Sequence, residues 1–296
     1  MSFVLLIGLL ISCILLSVFS DNTKYINGIK IDLKMQRVLL DKHNELRNSL
    51  ALNGISKSSQ PKSTFMNKLH WDPILAANAQ KFTDKCSIGH NNNRVNDFKE
   101  LDSPKLSTFN YDSDAYNFYL GENYLWYPRT DDTIYEDAIN FAEKYWWDEH
   151  LEYSYSSNYC KGVCGHYTQM AWADTRYIGC GASICPSSGY NYLFLICEYY
   201  PSGNFNGNKP YPSGTPCSDC LTLASDRDTC DGNNIKSGLC SGCQSPNWNL
   251  CDDRWTNCGE LKCPNKNCKR TCNGCPTKML SPSPTCIDEF DGLSQP

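Results

Sequence analysis

Closely spaced cysteines are the residues of this chain whose spacing most directly suggests chemistry. Cys-x-x-Cys pairs recur near the carboxyl end, at Cys217–Cys220, Cys240–Cys243 and Cys272–Cys275. Thiolates at this spacing can close a tetrahedral zinc site. The alternative is a disulfide framework, and no histidine follows residue 217 to complete a mixed zinc site. For an exported chain the spacing therefore favours disulfides over metal.

The first twenty residues predict export from the cell. Met1–Ser20 carries no charge, is apolar from Phe3 to Phe19, and ends with small residues ahead of Asp21. This pattern is typical of a secretory signal peptide, and the alternative is a membrane anchor of marginal length. Eighteen of the nineteen cysteines follow Cys13, and an even number in an exported chain predicts a disulfide framework. We expect a secreted protein with no transmembrane span after signal removal.

Length and charge set the broad class of the molecule. A chain of 296 residues exceeds one typical domain, which predicts a main domain and a smaller module. The net charge of -5 provides no basic footprint for nucleic acid, which we exclude as a partner. The sequence also lacks the Gly-x-Ser-x-Gly nucleophile elbow and the His-Glu-x-x-His zinc motif.

Three segments with helical spacing of apolar residues predict the helices of the main domain. They cover Asp32–Leu52, Asn67–Cys86 and Asp132–Tyr155. In the second segment, Asp72 can cap a helix that Pro73 starts with its fixed φ. These helices must surround whatever strands carry the site.

Strands are predicted between and after these helices. The runs Tyr167–Trp172, Tyr177–Ala182 and Tyr192–Tyr199 indicate strands, whereas the polar stretch 91–114 indicates a loop. Helices around a strand-rich centre, without βαβ repeats, indicate an α+β fold, a three-layer α-β-α sandwich with a mostly antiparallel sheet. The stretch Pro201–Pro216 is dense in Gly, Pro and Asn and predicts a linker.

Two motifs at the centre of the chain identify a family. Gly165–Thr175 reads Gly-His-Tyr-Thr-Gln-Met-Ala-Trp-Ala-Asp-Thr, and Phe194–Phe205 carries a thiol followed by a Pro-Ser-Gly-Asn turn. With the stretches His43–Arg47 and Gly121–Asn123, they resemble the signature motifs of the CAP superfamily, which includes cysteine-rich secretory, antigen 5 and pathogenesis-related-1 proteins. The resemblance implies the same sandwich fold. Glu198 departs from it, because the family usually has Asn, Gln or a basic residue there.

The resemblance divides the chain into four parts. We expect a signal peptide at 1–20, a CAP domain at 21–211, a cysteine-rich hinge at 212–242 and a ShK toxin-like module with a tail at 243–296. Twelve cysteines fall between Cys217 and Pro296, a density that marks a small disulfide scaffold.

The resemblance also implies disulfide pairs. Six cysteines of the main domain are expected to pair as in the pathogenesis-related-1 proteins: Cys86 with Cys185, Cys160 with Cys164, and Cys180 with Cys197. Similarity to the secretory-protein hinge groups four more: Cys217, Cys220, Cys230 and Cys240. The toxin-like order pairs the rest: Cys243 with Cys275, Cys251 with Cys268, Cys258 with Cys272, and the remaining Cys263 with Cys286.

Four ionisable residues match the cleft of the family residue by residue: His90, Glu122, Glu149 and His166. Two imidazoles and two carboxylates could hold a divalent metal such as zinc, or act as a general acid and base. The alternative is a hydrogen-bonded polar cluster that lines a groove, with Glu122 bound to nearby backbone. We rank metal binding and this structural role above catalysis, because acid-base residues alone do not make a reaction site.

Aromatic residues and the basic tail suggest further partners. The family includes sterol and fatty-acid binders, and Tyr111 and Tyr116 are candidates to line a groove for a lipid or sterol, with ordinary packing as the alternative. Toxin-like folds block potassium channels through a lysine followed by an aromatic residue, whereas here Lys262 precedes Cys263. The basic stretch Arg254–Lys278 could still meet an anionic channel mouth or membrane, or form a solvated face.

These observations favour a secreted, non-enzymatic binding protein. Its CAP domain is expected to hold a lipid or a metal ion, and its cysteine-rich tail to contact an extracellular partner. The two rivals are an ion-channel modulator that acts through the tail and a metal-dependent hydrolase that uses His90 and His166.

Overall fold

The computed structural model of the protein describes residues 31, 33–102, 107, 118–129, 135–187, 190–220 and 237–240. The predicted signal peptide at 1–20, the groove candidates Tyr111 and Tyr116, Cys230 and the predicted module 243–296 with its four cysteine pairs lie outside these residues. Within them, no helix is both long and apolar enough to cross a membrane.

A four-stranded sheet forms the centre of the described fold. Its strands are β1 (His70–Trp71), β2 (Gly121–Arg129), β5 (Tyr177–Ser187) and β6 (Tyr190–Tyr200), in the order β1-β5-β6-β2. Only the short β1 runs parallel to its neighbour, and the other pairs are antiparallel. The predicted, mostly antiparallel sheet is therefore confirmed.

Helices cover both faces of this sheet. The helices are α1 (Leu33–Asn53), α2 (Pro73–Thr83), α3 (Arg94–Leu101), α4 (Tyr135–Tyr145) and α5 (Gly165–Met170). On β6, Phe194 and Ile196 pack in one apolar cluster with Ala79 of α2. The alternate residues Leu193 and Leu195 pack in the main core with residues of α1. This alternation, which follows from the pleat of a strand, gives the predicted α-β-α sandwich.

Helix α1 begins and ends within one residue of its predicted bounds and buries two polar side chains. The imidazole of His43 contacts the carbonyl of Leu39 through Nδ1 (2.7 Å) and the hydroxyl of Tyr199 through Nε2 (2.9 Å). Because the carbonyl accepts only, Nδ1 carries the proton and Nε2 accepts from the phenol. Burial lowers the pKa of His43 to about 4. His43 thus has the packed, hydrogen-bonded role that its position in a helix favours.

The guanidinium of Arg47 joins α1 to the chain beyond α5. It donates to the carbonyl oxygens of Asn67, Met170, Trp172, Ala173 and Thr175 at 2.7 to 3.4 Å. Arg47 is fully buried, and desolvation lowers its pKa to about 9. Arginine suits this place because its five N–H groups can satisfy several acceptors from one rigid plane.

Helix α2 is shorter than the sequence pattern predicts. Asp72 caps it as expected, because its Oδ1 accepts from the backbone N–H groups of Ile74 (2.9 Å) and Leu75 (2.8 Å). The residues before the cap do not extend the helix, because His70 and Trp71 form β1 and pair with β5. The predicted start at Asp72-Pro73 is therefore confirmed, whereas the helix ends at Thr83 and does not reach Cys86.

The predicted strand Tyr167–Trp172 is wrong, because this segment forms α5. Tyr167, Met170 and Ala171 are buried at the i, i+3 and i+4 spacing of a helix. The hydroxyl of Thr168 also donates back to the carbonyl of Cys164 (3.0 Å), as in helical turns. A short apolar run does not distinguish a strand from a buried helix, so the sequence pattern alone was ambiguous here.

Two further segments differ from prediction. Helix α4 ends at Tyr145 and gives way to a 3-10 helix, Trp147–Leu151, and to the small hairpin of β3 (Tyr153–Ser154) and β4 (Tyr159–Cys160), so the predicted helix to Tyr155 is wrong. The stretch 91–114 is not wholly loop, because it contains α3. Only Asp97 and Phe98 are buried in α3, which explains its weak apolar pattern.

The segment predicted as a linker packs against the main domain. Tyr211 is fully buried and its hydroxyl donates to the carbonyl of Pro61 (3.1 Å). Farther along, a disulfide joins Cys220 to Cys240, two of the four cysteines grouped in the hinge. The backbone N–H of Cys240 donates to Met66 (2.7 Å), and that of Lys68 donates to Cys240 (2.9 Å). The chain up to residue 220 and residues 237–240 therefore share one core with α1.

Candidate functional site

His90 follows a loop that a disulfide anchors to the sheet. Cys86, four residues earlier, is bonded to Cys185 of β5. The Nδ1 of His90 lies 2.6 Å from Oε1 of Glu122 on β2. The side chain of His90 is 50% exposed whereas that of Glu122 is 1% exposed. A buried carboxylate thus holds an imidazole that reaches the surface.

The backbone of Asn91 fixes the Glu122 carboxylate in turn. The N–H of Asn91 donates to both of its oxygens, at 3.0 and 3.3 Å. Asn91 stands where the family has serine after this histidine, and its side chain donates to Oδ2 of Asp97 on α3 (3.2 Å). These contacts place the histidine loop between β2 and α3. The alternative role for Glu122, bonding to nearby backbone, is therefore also present.

His166 is held in the same manner on the other side of the cleft. Its Nδ1 lies 2.6 Å from Oε1 of Glu149, in the 3-10 helix after α4. Oε2 of Glu149 accepts from the backbone N–H groups of His166 (2.9 Å) and Tyr167 (3.2 Å). Glu149 therefore caps α5 while it orients the imidazole. The disulfide Cys160–Cys164 ends at the residue before α5 and fixes the same helix end.

The two pairs leave equivalent atoms for a ligand. A carboxylate accepts only, so each Nδ1 donates a proton to its glutamate and each Nε2 keeps a lone pair in the neutral ring. Metal-ligating histidines usually have this arrangement, in which a carboxylate fixes the tautomer and raises the basicity of the ligand nitrogen. The chemistry of the donor set therefore fits a divalent metal at Nε2 of His90 and His166.

The four predicted residues come together as two His–Glu pairs. In the described part of the chain no group of three or more His, Cys, Asp and Glu residues could hold a metal ion. The oxygens of both carboxylates instead accept hydrogen bonds from an imidazole and from backbone N–H groups. They therefore act behind the imidazoles.

The Gly121-Glu122-Asn123 stretch links the two sides of the cleft. A side chain at Gly121 would collide with the side chain of Gln169 on α5, so only glycine allows α5 to lie this close. The amide of Asn123 donates to the carbonyl of His166 (3.1 Å). One short run of β2 therefore positions α5 and both histidines.

Two aromatic residues complete the cleft, and sequence reasoning gave them no role. The ring of Tyr124 adjoins both imidazoles, with centroids 4.7 Å from His90 and 6.3 Å from His166. The ring of Trp146 stacks on His166 at 6.0 Å and 16°. One sequence signal could have indicated Tyr124. Side chains alternate between the two faces of a strand, so Tyr124 lies on the same face of β2 as Glu122, but this stretch was not predicted to be a strand.

Glu198, the departure from the family pattern, is a buried acid behind the cleft. It is fully buried on β6 and accepts from Nδ2 of Asn78 on α2, at 2.8 and 3.0 Å. Burial raises the pKa of Glu198 well above its ordinary value, and the Glu122 carboxylate raises it further. Burial therefore favours the neutral acid over the carboxylate at Glu198.

The main domain has no free thiol. Its six cysteines form three disulfides, Cys86–Cys185, Cys160–Cys164 and Cys180–Cys197, which are the pairs that the resemblance implies. With these thiols bonded and no nucleophile elbow in the sequence, neither common source of a covalent nucleophile is available beside the imidazoles.

Comparison with known proteins agrees with this architecture. The protein family described as "CAP: Cysteine-rich secretory protein family" matches residues 40–199 of this chain. GLIPR1-like protein 1 of Bos taurus is 34% identical over 209 residues, which are 70% of this chain and 73% of that protein. Cysteine-rich secretory protein 2 of Homo sapiens is 32% identical over 253 residues, which are 81% of this chain and 84% of that protein.

Solved structures show the same fold. The crystal structure of Na-ASP-1 matches with a TM-score of 0.54 and 27% identity, over 74% of this chain but only half of that longer protein. The structure of NaASP2 with Zn²⁺ matches with a TM-score of 0.52 and 26% identity, over 73% of this chain and 98% of that one. The fold, the motifs and these relatives together show that the chain belongs to the CAP family of cysteine-rich secretory proteins.

Proposed function

We propose that the protein is a secreted, non-enzymatic binding protein that holds a divalent transition-metal ion through Nε2 of His90 and His166. The observation that carries this proposal is the pair of Nδ1–carboxylate contacts of 2.6 Å to Glu122 and Glu149. Two unrelated segments present an imidazole in the same tautomer and with the same kind of support. Ordinary packing does not need this repetition, whereas a shared ligand does.

The choice of metal follows from the donor atoms. Neutral imidazole nitrogen suits Zn²⁺, Cu²⁺, Ni²⁺ and related ions, whereas Mg²⁺ and Ca²⁺ prefer oxygen ligands. NaASP2, which shares the fold at 26% identity, was crystallised with Zn²⁺, and this supports the same class of ion here. With only two protein ligands, we expect a site weaker than a structural zinc site with four.

Zinc titration by calorimetry of the secreted protein tests the proposal. The wild type should bind one ion, and His90→Ala/His166→Ala should lose that binding. His70→Ala is the matched control, because His70 lies on β1, where its ring contacts Tyr177 rather than the cleft. Binding should also weaken below about pH 6, where imidazoles take up protons. Unchanged affinity in the double variant would overturn the proposal.

We expect binding without turnover. No peptidase or esterase activity above background should appear on broad substrate panels, because acid-base residues alone do not make a reaction site and the six thiols of the main domain are bonded in disulfides. The hypothesis of a hydrolase would replace that of a non-enzymatic binding protein if an activity copurified with the protein and disappeared in Glu122→Gln. Binding of a lipid or sterol, and contact of the tail with an extracellular protein or ion channel, stay predictions from the family resemblance.

A further inference from the structure

Tyr124 is the residue that contacts both imidazoles of the cleft. It follows Glu122 by two positions on β2, so the two side chains project from the same face. Its ring meets that of His90 at 87° and that of His166 at 80°, both in edge-to-face geometry. The two histidines come from separate segments, and the Tyr124 ring is a common neighbour for both.

The position of Tyr124 is itself fixed from two sides. Phe194 of β6 contacts its ring at 6.4 Å and 76°. Its backbone carbonyl accepts from Nε1 of Trp146 (3.1 Å), and Trp146 is the buried residue that stacks on His166. Tyr124 therefore acts on His166 twice, directly through its ring and indirectly through the tryptophan that its carbonyl holds.

A second contact restricts an imidazole further than its carboxylate does alone. The bond from Nδ1 to Glu122 holds one edge of the His90 ring, and half of that side chain is exposed, so the tilt of the ring depends on its other neighbours as well. An edge-to-face aromatic contact has a preferred angle and restricts that tilt. A metal that binds through two imidazoles needs both Nε2 lone pairs aimed at one point.

We propose that Tyr124 is a positioning residue that sets the ring planes of His90 and His166, so that both Nε2 atoms face the same ion. This inference rests on the proposed metal site. The positioning of the two imidazoles depends on the aromatic ring of Tyr124 and not on its hydroxyl. Replacement of the ring should therefore matter, and removal of the hydroxyl should not.

Two substitutions at this position separate the ring from the hydroxyl. Tyr124→Phe keeps the ring and should bind Zn²⁺ within about twofold of the wild type. Tyr124→Leu removes the ring and should lower affinity about 10- to 100-fold, the range seen when residues that orient metal ligands are lost. Trp126→Leu is the matched control, because Trp126 lies on the same face of β2 but contacts Tyr192 instead of an imidazole. Tyr124→Met serves as the ring-free variant if the leucine variant does not fold.

A measurement without metal separates this inference from the proposed function. Nuclear Overhauser contacts of the Cε1 and Cδ2 protons of His90 and His166 to the residues around them report the orientation of each ring. These contacts should match the wild type in Tyr124→Phe and change in Tyr124→Leu. If the wild type binds no ion but the ring orientations change in this way, the metal proposal fails and the positioning role stands. Unchanged orientations and affinity in Tyr124→Leu would overturn it, as would an equal loss of affinity in Tyr124→Phe and Tyr124→Leu.

Discussion

Glu122 and Glu198 lie directly opposite each other on β2 and β6, and both are buried. Two like charges in directly opposed positions destabilise a sheet. Glu122 contacts the His90 imidazole and accepts a backbone N–H. Glu198 accepts from the amide of Asn78, and burial raises the pKa of Glu198 well above its ordinary value, with the opposed Glu122 carboxylate raising it further. The proton that burial favours on Glu198 thus lessens the repulsion between the two opposed carboxyl groups.

Glu198→Gln should stabilise the protein, and increasingly so as the pH rises. The pKa of Glu198 is raised on folding, so the folded state holds a proton that the unfolded chain has lost above the ordinary value of 4.5. The contribution of Glu198 to the free energy of unfolding therefore falls as the pH rises from 4.5 toward the raised pKa of the folded state, by up to about 1.4 kcal/mol per pH unit. The variant, which mimics the protonated acid, removes this slope.

Urea unfolding from pH 4 to pH 8 measures this effect. The curves of wild type and Glu198→Gln should converge near pH 4 and separate above it. In the described contacts Oδ1 of Asn78 has no partner, and the new amide can donate to it. A constant difference at every pH would show that Glu198 does not titrate on folding.

His43→Gln should flatten the loss of stability in acid. The pKa of His43 falls from 6.5 to about 4 on folding because the ring is buried. The unfolded chain therefore binds a proton that the folded protein excludes, and stability is lost as the pH falls from 6.5 to 4, by up to about 3 kcal/mol. The difference in unfolding free energy between wild type and variant should shrink over that interval. Parallel curves would contradict the assignment.

Glu149→Gln should weaken zinc binding more than it weakens the fold. The amide oxygen can still accept the backbone N–H groups at the start of α5, but the charge-assisted bond to His166 is lost. We expect affinity to fall about tenfold. Glu149→Ala should in addition lose about 1 kcal/mol of stability with the cap. Calorimetry and urea unfolding measure the two effects, and the exposed Glu152→Gln provides the control.

Arg47→Lys should be strongly destabilising although it conserves charge. Lysine has three N–H groups on one point, whereas Arg47 serves five carbonyl oxygens from a plane. Each buried carbonyl that loses its donor costs about 1 to 3 kcal/mol, so we expect a loss of at least about 3 kcal/mol. Urea unfolding measures the loss, and a change below about 1 kcal/mol would contradict it.

Peptide mapping without reduction tests the predicted pairs of the tail, which lie outside the described residues. Fragments should link Cys243 to Cys275, Cys251 to Cys268, Cys258 to Cys272 and Cys263 to Cys286. A bridge from Cys263 to Cys217 or Cys230, or a free thiol at Cys286, would show that the toxin-like pairing is wrong.

The sequence predicted the fold where one signal dominated. The cap at Asp72 and the long apolar runs of β5 and β6 indicated their elements directly. The strand predicted over Tyr167–Trp172 was wrong because the six residues of α5 are too few to show a helical period. The local sequence pattern could not distinguish a helix from a strand here, because Glu149 and Arg47, which are distant in the sequence, bind the two ends of α5.

The family resemblance named the residues of the candidate site but not the contacts among them. It pointed to both histidines and both glutamates, yet it did not show which oxygens of each carboxylate accept hydrogen bonds. The pairs His90–Glu122 and Glu149–His166 are 32 and 17 residues apart, so their contacts depend on how the helices meet the sheet. The neighbours Tyr124 and Asn78 carry no motif, and the packing of α2 on the sheet brings Asn78 to Glu198 across 120 residues.

The contact between Trp146 and the carbonyl of Tyr124 also affects how the protein behaves at high concentration. In the described sheet β2 is an outer strand of nine residues, a length that could recruit a strand from another molecule. The indole occupies one acceptor on this strand, and Pro128 offers no N–H donor. A foreign strand would therefore meet an interrupted ladder. The tryptophan that stacks on His166 thus also makes β2 a poorer template for edge-to-edge pairing.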